Sequence, residues 1–521
     1  MKSKRKIAIF TGNRSEYGIF SPIIKHIEDH LLLDYYLIAS GAHLEKDFGL
    51  TIENIKKDGF KIYKKILLKK RWEMSNIRKP PDLFLINQNS SIKKTLKKID
   101  KNQWGIVFAI DNQKKLNGVV TDGDIRRALL HNLPLSLSIS KVMNKELLFI
   151  RSSWDNEKIN NLLNSKITKS KTSLSGSLVL PVLNKENRVV KIIHANRDSL
   201  YRSNSEIGVL ILELSDLLRK LRPDFLLCYG DRYETFAAAI SSSQMAIPTV
   251  HIEGGDITAG GALDDSIRHA ITKLAHLHLV TNKDSYKRVV ALGEESWRVH
   301  NIGYPVLDLI KQGNFASKKE LKKKFNINPN KPLVVFIQHA ITTEIESSPD
   351  QIKPSLNALS SLAKRGITII IIYPNNDAGN RAIIKEVRAL KSKKIPNIHV
   401  FKNLDRYYFH GLLNVCGRTG KGLLAGNSSS GIKESPAFGC PAVNIGSRED
   451  KRLRAKNIID VCYKKREIVK AIKKCLFDET FRKKCRDCKN PYDVRDSGKL
   501  VAKILATIKI DQRLIQKGIT Y

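Results

Sequence analysis

Hydrophobic and polar positions follow one another along the chain in a recurring order: a short apolar run, a small polar loop, then a stretch of helical periodicity. The run Lys6–Phe10 (KIAIF) reads as a buried strand, TGNRSEYG as the loop that follows, and Ser15–His30 as a helix. Tyr35–Ser40 (YYLIAS) is a second strand, GLTIENIKKDG a helix closed by Gly59, and FKIYKKI a third strand. Strands alternating with helices predict an α/β unit on a parallel sheet.

The pattern changes near Leu68 and stays changed to about Ser203. There SIKKTLKKIDKN reads as a short helix. WGIVFAID, the turn NQKK and LNGVVTDGDIRRALL then follow as strand, turn, strand and helix. A weaker copy comes next. WDNEKINNLLNSK is helical, SLVLPVLNKENRVVKIIHA gives two strands around a turn, and NRDSL starts a helix. A unit of roughly 60–70 residues repeated in this way implies two copies packed together.

After Ser203 the α/β alternation resumes. Ile207–Leu221 is helical, DFLLCYGD a strand, Tyr233–Gln244 a helix, PTVHIEGGD a strand and loop, Leu263–Ala275 a helix, and HLHLVT a strand; GYPVLDLI closes this half. A second half begins at LVVFIQHA, with further strands at ITIIIIYP, NIHVFK, GLLAGNSSSG and PAVNIGS. The expected organisation has four parts. A discontinuous first half covers 1–67 and 204–311, with an inserted repeat pair at 68–203. A second half follows at 312–495, and a C-terminal helix and tail at 496–521.

The chain has 521 residues, of which 42% are hydrophobic and 27% charged. That profile excludes wholesale disorder and agrees with two to four domains. No apolar run approaches the roughly 20 residues of a membrane span, and the N-terminal apolar stretch is too short for a signal peptide. A cytoplasmic protein with no membrane association is expected. The seven cysteines agree with reduced thiols, and the single CxxC, Cys485 with Cys488, has no two further ligands at suitable spacing for zinc. Lysine and arginine number 91 against 51 acidic residues, a net charge of +40. The basic residues are spread from end to end and no aromatic-interleaved or finger pattern accompanies them, so nucleic acid is not an expected partner.

Ligands of open parallel sheets bind beyond the carboxyl ends of the strands. The polar residues there are Arg14, Ser15 and Glu16; Asp231 and Arg232; Glu253 and Asp256; His339; Asn375, Asn376 and Asp377; and Asn427–Ser430. The loop GNSSSGIKE offers amides and hydroxyls at a helix start, where a diphosphate can be held, and Arg14 can pair with the same phosphates. The same serines would cap a helix with no ligand at all. Glu253, Asp256, Asp264 and Asp265 form an acidic cluster in a basic chain. Asp264 and Arg268 stand four positions apart on one helix face. Grouped carboxylates raise one another's pKa and suit acid/base work, although acidic residues at a helix start are also common for electrostatic reasons alone.

TGNRSEYG, GDRYE, HIEGGD, DDSIRHAITKLAHLHLVTN, IGYPVLD, QHAITTE, YPNNDAG, GNSSSGIKESPAFGCPAVNIGSR and the tail NPYD occur in that order. Together they resemble the hydrolysing UDP-N-acetylglucosamine 2-epimerases of sialic-acid-type sugar biosynthesis, over about 1–67 and 204–510. The resemblance implies an α/β fold of the GT-B kind, two Rossmann-like doubly wound halves with the nucleotide sugar between them. It implies elimination of the nucleoside diphosphate to a 2-acetamidoglycal, then hydration with inversion at C2, with no metal and no cofactor. By motif, Asp231, Glu253 and Asp264 would be the catalytic carboxylates and His339 a catalytic group near the diphosphate. Arg14, Ser429 and Ser430 would hold phosphates and Glu434 the ribose. Arg268 would contact substrate, and Asn375 and Arg448 would help to close the site. A homo-oligomer is expected.

The inserted repeats resemble a pair of CBS domains (α+β), placed in the first half. GVVTDGDIRRAL carries the G-x-x-T-x-x-D signature, so Thr121 and Asp124 would hold an adenine nucleotide or a pathway end product; the second copy lacks the signature. An insert with no ligand, serving assembly, is the plainer alternative. Three other readings compete for the whole chain. They are a retaining GT-B glycosyltransferase, a non-hydrolysing epimerase, and a nucleotide-sensing CBS protein on an inactive epimerase scaffold. The acidic cluster weighs against the first and the last.

Overall fold

In the computed structural model the described residues are 4–45, 49–68, 73–77, 79–167, 177–196, 201–258, 263–341, 343–374 and 379–521. The chain divides into two compact units, one from residues 1–68 and 206–521, the other from 69–205.

The larger unit contains two parallel sheets. The first has seven strands, in the order Val299–Asn301, Leu277–Val280, Thr249–Ile252, Phe225–Tyr229, Arg5–Thr11, Leu33–Ala39 and Ile62–Lys65. The second has six, in the order Ile398–Phe401, Thr368–Ile372, Leu333–Ile337, Gly422–Gly426, Ala442–Ile445 and Ile458–Val461. Their central strands are continuous apolar runs because helices cover both faces. Ile7 and Ile9 face one core cluster, Ala8 and Phe10 another. Each sheet reverses its strand order once, between Arg5–Thr11 and Phe225–Tyr229 in the first and between Leu333–Ile337 and Gly422–Gly426 in the second. Those reversals are the switch points at which doubly wound sheets open a crevice.

The edge strands Val299–Asn301 and Ile458–Val461 escape a reading by apolar runs. They are short, and Ile458–Val461 is half-exposed along most of its length. The last long helix, Ser497–Thr507, returns to the first half. Its Gly498 amide donates to the buried Asp308 carboxylate at 2.8 Å, and Arg5 donates to the carbonyls of Leu505 and Ile508 at 2.7 and 2.8 Å. Beyond it, Arg298 donates to the carbonyls of Arg513, Leu514 and Gln516, and Lys517 pairs with the buried Glu294 at 2.7 Å.

The smaller unit repeats one pattern twice. Strand Leu85–Asn87, helix Ile92–Asn102 and strands Ile106–Ile110 and Leu116–Thr121 make the first copy. Strand Ile150–Arg151, helix Asn156–Ile167 and strands Ser177–Leu183 and Val189–Asn196 make the second. In both, the first pairing is parallel and the second antiparallel. The unit's opening strand, Glu73–Asn76, joins the sheet of the second copy, not the first. The segment NRDSL, expected to start a helix, lies outside the described residues at 197–200; the helix that follows spans Tyr201–Leu221.

Candidate active site

Both switch points end in polar loops. In the second half, the Asn427 side chain clips the two central strands together: it accepts from the His339 amide at 2.6 Å and donates to the His339 carbonyl at 2.9 Å. Gly426 makes this approach feasible. Its φ is +120°, and a Cβ there would lie 1.8 Å from the Ile337 carbonyl oxygen. Ser428, Ser429 and Ser430 follow, all half-buried, and lead into the short helix Ser430–Lys433. Glu434 is buried, with Ser430 donating to one carboxylate oxygen at 2.8 Å and His410 lying 2.8 Å from the other. Burial alone would raise its pKa, but the His410 contact, with Ser430 and Arg406, holds it below the usual carboxylate range.

In the first half, Arg14 begins the helix Arg14–Glu28, whose N-cap Asn13 accepts from the Ser15 and Glu16 amides. Its guanidinium donates to the Leu404 carbonyl of the second half at 2.5 Å. Burial, with Arg406 adjacent, brings Arg14 down to about 10. Beneath it, Glu16 accepts from the Gly12 amide at 2.5 Å, and burial beside Glu234 pushes Glu16 up to about 8.

Asp231 follows strand Phe225–Tyr229, and its carboxylate contacts the Arg268 guanidinium directly. Arg268, on helix Leu263–Leu274, also donates to Asp265 at 2.7 Å and to the Asp256 carbonyl at 2.8 Å. The pairing on that helix is thus with Asp265, three positions back, and not only a matter of the Asp264 face expected from spacing. Asp265 also accepts from the Thr258 amide, and burial raises it to about 6. Asp264 stands half-buried at the helix start, after residues 259–262, which are outside the described set.

Glu253 lies 4% exposed at the end of strand Thr249–Ile252. Its φ is +71°, left-handed and costly for a non-glycine residue, a strain that clusters at functional sites. Burial, and then the neighbouring Asp256, raise its carboxyl well above the usual range. The second half answers these carboxylates. The Lys433 ammonium contacts Glu253 and lies 2.8 Å from Asp256, and Arg452 stands 3.5 Å from Asp256 and 2.7 Å from Glu449. Arg448 pairs with Glu449 at 2.6 Å and donates to the Asn427 carbonyl.

Apart from Asn375, Asn376 and Asp377, which lie outside the described residues, the cleft residues expected from motifs stand at these strand ends and helix starts. Lys433, Arg452, Glu449, His410 and Glu234 were not expected. Among the described residues no group of three His, Cys, Asp or Glu side chains is disposed to hold a metal ion, and no helix is long and apolar enough to cross a membrane.

In the smaller unit Thr121 and Asp124 come together, but on one another. Thr121 caps helix Asp122–Leu130 by accepting from the Asp124 amide. Asp124 in turn accepts from the Thr121 amide at 2.8 Å and its hydroxyl at 2.7 Å, and Arg127 covers the other carboxylate oxygen at 2.5 Å.

Two doubly wound halves, with polar loops at both switch points joined by charged contacts, define the GT-B class of nucleotide-sugar-type folds. Residues 183–506 match the family described as UDP-N-acetylglucosamine 2-epimerase, and residues 76–131 match the CBS domain. The chain belongs to that epimerase family and carries a CBS domain in its N-terminal part. It is 36% identical over 281 residues to a GDP/UDP-N,N'-diacetylbacillosamine 2-epimerase (hydrolyzing) of Campylobacter jejuni, covering 53% of this chain and 71% of the relative. It is 33% identical over 299 residues to a UDP-N-acetylglucosamine 2-epimerase of Neisseria meningitidis, covering 57% and 75%. With a UDP-N,N'-diacetylbacillosamine 2-epimerase (hydrolyzing) of Legionella pneumophila it shares 32% over 272 residues, covering 52% and 68%. The crystal structure of the UDP-GlcNAc 2-epimerase from Neisseria meningitidis bound to UDP-GlcNAc has the same fold, with TM-score 0.54 at 16% identity, covering 96% of this chain and 99% of that one.

Proposed function

We propose that this protein is a hydrolysing 2-epimerase. It takes a UDP-N-acetylglucosamine-type nucleotide sugar and releases the nucleoside diphosphate and a free N-acetylmannosamine-type sugar, for nonulosonic acid biosynthesis. The observation that carries the reading is the group of carboxylates, buried Glu253 and Asp256 with half-buried Asp231 and Asp265, at the strand ends beside a serine loop suited to a diphosphate. Two of the relatives above carry the word hydrolyzing in their names, which supports the same branch.

In the first step a carboxylate takes the C2 proton while the C1–oxygen bond to the diphosphate breaks, leaving a 2-acetamidoglycal. Arg14, Ser429, Ser430 and His339 hold the departing phosphates, where positive charge and hydroxyls lower the cost of the leaving group. In the second step water adds at C1 and a proton returns to C2 from the opposite face. Asp231 and Glu253 serve as the acid/base groups, with Asp264 at the mouth of the loop, Arg268 orienting Asp231, Glu434 on the ribose, and Arg448 and Asn375 closing the site. The reaction draws on no metal. The protein is cytoplasmic and a homo-oligomer, and an adenine nucleotide or a pathway end product binds the insert at Thr121 and Asp124.

Reaction in deuterated water tests this. The expected product is a free sugar labelled at C2, with nucleoside diphosphate released. A labelled sugar still attached to its nucleotide would place the enzyme in the non-hydrolysing branch, and no turnover of any nucleotide sugar would favour the inactive-scaffold reading.

A further inference from the structure

Lys433 is 2% exposed, on the four-residue helix that ends the serine loop. Its ammonium leaves the second half and touches the Glu253 carboxylate of the first, 2.8 Å from Asp256 as well. Its backbone is fixed at both ends: the amide donates to the Ser429 carbonyl at 2.9 Å, and the carbonyl accepts from Asn490 at 2.8 Å. The side chain lies against the faces of Tyr304 and Tyr492, at 5.4 and 5.7 Å, which favours a cation there.

A lysine buried among aromatic rings is costly unless it meets an anion. The anions and cations around it can be named. Glu253 faces Asp256 from its own loop. It faces Arg452 and Glu449, with Arg448 behind them, from the segment after strand Ala442–Ile445. Tyr304 faces it from the turn before helix Val306–Lys311, and Tyr492 from the C-terminal segment; Asp265 and Arg268 form the next pair beyond Asp256. Arg452 pairs with Asp256 and Glu449, and from there its charge also favours the ionised form of Glu253. Among the described residues Lys433 is the cation in ion-pair contact with Glu253.

We propose that Lys433 is a positioning residue that sets the ionisation of Glu253, so that the acid/base carboxylate is completed by a charge supplied from the opposite half. This rests on the reading of Glu253 as an acid/base group. Burial by itself drives Glu253 towards its neutral acid and Lys433 towards its neutral amine. Each favours the charged form of the other and so opposes burial, which still holds Glu253 above and Lys433 below its ordinary range. Because carboxylate and ammonium belong to different halves, the base has its working pKa only where the halves meet.

The test is the pH dependence of kcat for purified full-length protein with UDP-N-acetylglucosamine or its 4-acetamido-6-deoxy relative. Lys433→Met is expected to move the acidic limb upward by about one to three pH units, the range an opposite charge in contact produces, with activity returning at high pH. Lys433→Arg keeps the charge and is expected to leave the limb within about half a unit of the parent, on the same ground. Lys433→Gln serves if the Met variant does not fold and should show the same upward shift. A loss of activity in Lys433→Met or Lys433→Gln that is equal at every pH overturns the proposal and makes Lys433 a packing residue. Glu253→Gln is the separate control. Full turnover in that variant removes the acid/base reading itself. An inactive Glu253→Gln beside an unshifted limb in the lysine variants removes only the role of Lys433.

Discussion

The cleft and the insert each gather charged residues, and they do so in opposite ways. In the insert, Thr121, Asp124 and Arg127 lie within the first two turns of one helix and satisfy one another. In the cleft, Glu253, Asp256, Lys433 and Arg452 come from segments nearly 200 positions apart and are all buried. A local cap is explained by the helix it begins. A buried group of charges from two halves has no such explanation, because apolar side chains of similar volume would be as stable or more so. Polar residues that explain themselves locally are therefore weak evidence of a ligand, and those that do not are strong evidence of a task.

The largest effect that would break this comparison is catalytic. Asp231→Asn and Glu253→Gln are each expected to lower kcat by about 100-fold or more, with circular dichroism unchanged. Near-parental turnover in both would leave the buried charges without a purpose. Next comes nucleotide affinity. Ser429→Ala should weaken nucleoside diphosphate binding by about 1–2 kcal/mol, as for one charge-assisted hydrogen bond, measured by calorimetry. An unchanged Kd would remove Ser429 from the phosphate site; its side chain makes no cap bond to the helix it begins.

Smaller effects belong to the insert. An adenine nucleotide is expected to change turnover several-fold, and Asp124→Ala to abolish that response. The same change should cost the insert about 1 kcal/mol as a lost cap, read from its thermal unfolding. Loss of stability with no nucleotide effect in the parent would make the Thr121–Asp124 pair purely structural and sharpen the contrast with the cleft.

The smallest effect on turnover is expected at a third charged network, centred on Glu294. Glu294 is buried and meets His278, Lys273 and Lys517. Burial alone would raise Glu294, but His278 and the two lysines hold it near 2, while burial lowers His278 to about 4. Both pKa values are depressed in the folded state. Stability from this network is therefore complete above the ordinary histidine range, and is lost as pH falls through about 6.5 to 4 for His278 and about 4.5 to 2 for Glu294. Glu294→Gln should flatten the acid-unfolding curve below pH 4.5, with turnover at neutral pH unmoved.

The two-half plan was legible because central parallel strands are continuous apolar runs followed by glycine-rich polar loops. Leu333–Ile337 and Thr368–Ile372 are instances in which five buried residues in a row leave little choice of structure. The short edge strand Ile458–Val461 was not legible, since its half-exposed residues carry no strong pattern. The carboxylates of the cleft stood out against a basic chain, and their loops placed them at strand ends. Lys433 did not stand out among so many lysines. Its meaning depends on where the other half lies, and no local pattern carries that information. The pairing of Arg268 with Asp265 was hidden for a related reason: helical spacing puts both Asp264 and Asp265 within reach, and the Thr258 amide holds the second.

The strand that precedes the insert, Ile62–Lys65, is the last of its sheet, and Leu68 packs on the same core cluster as Ile207, where the chain returns. Tyr233 fastens that return by donating to Glu206 at 2.6 Å. The host therefore carries a socket: two chain ends packed on one core cluster, beside a sheet that is already complete. A module plugged in there leaves every strand pairing of the host in place. Inheritance can then add, exchange or discard the cassette as one piece, and a protein engineer can do the same by joining Leu68 to Glu206 through a few glycine and serine residues.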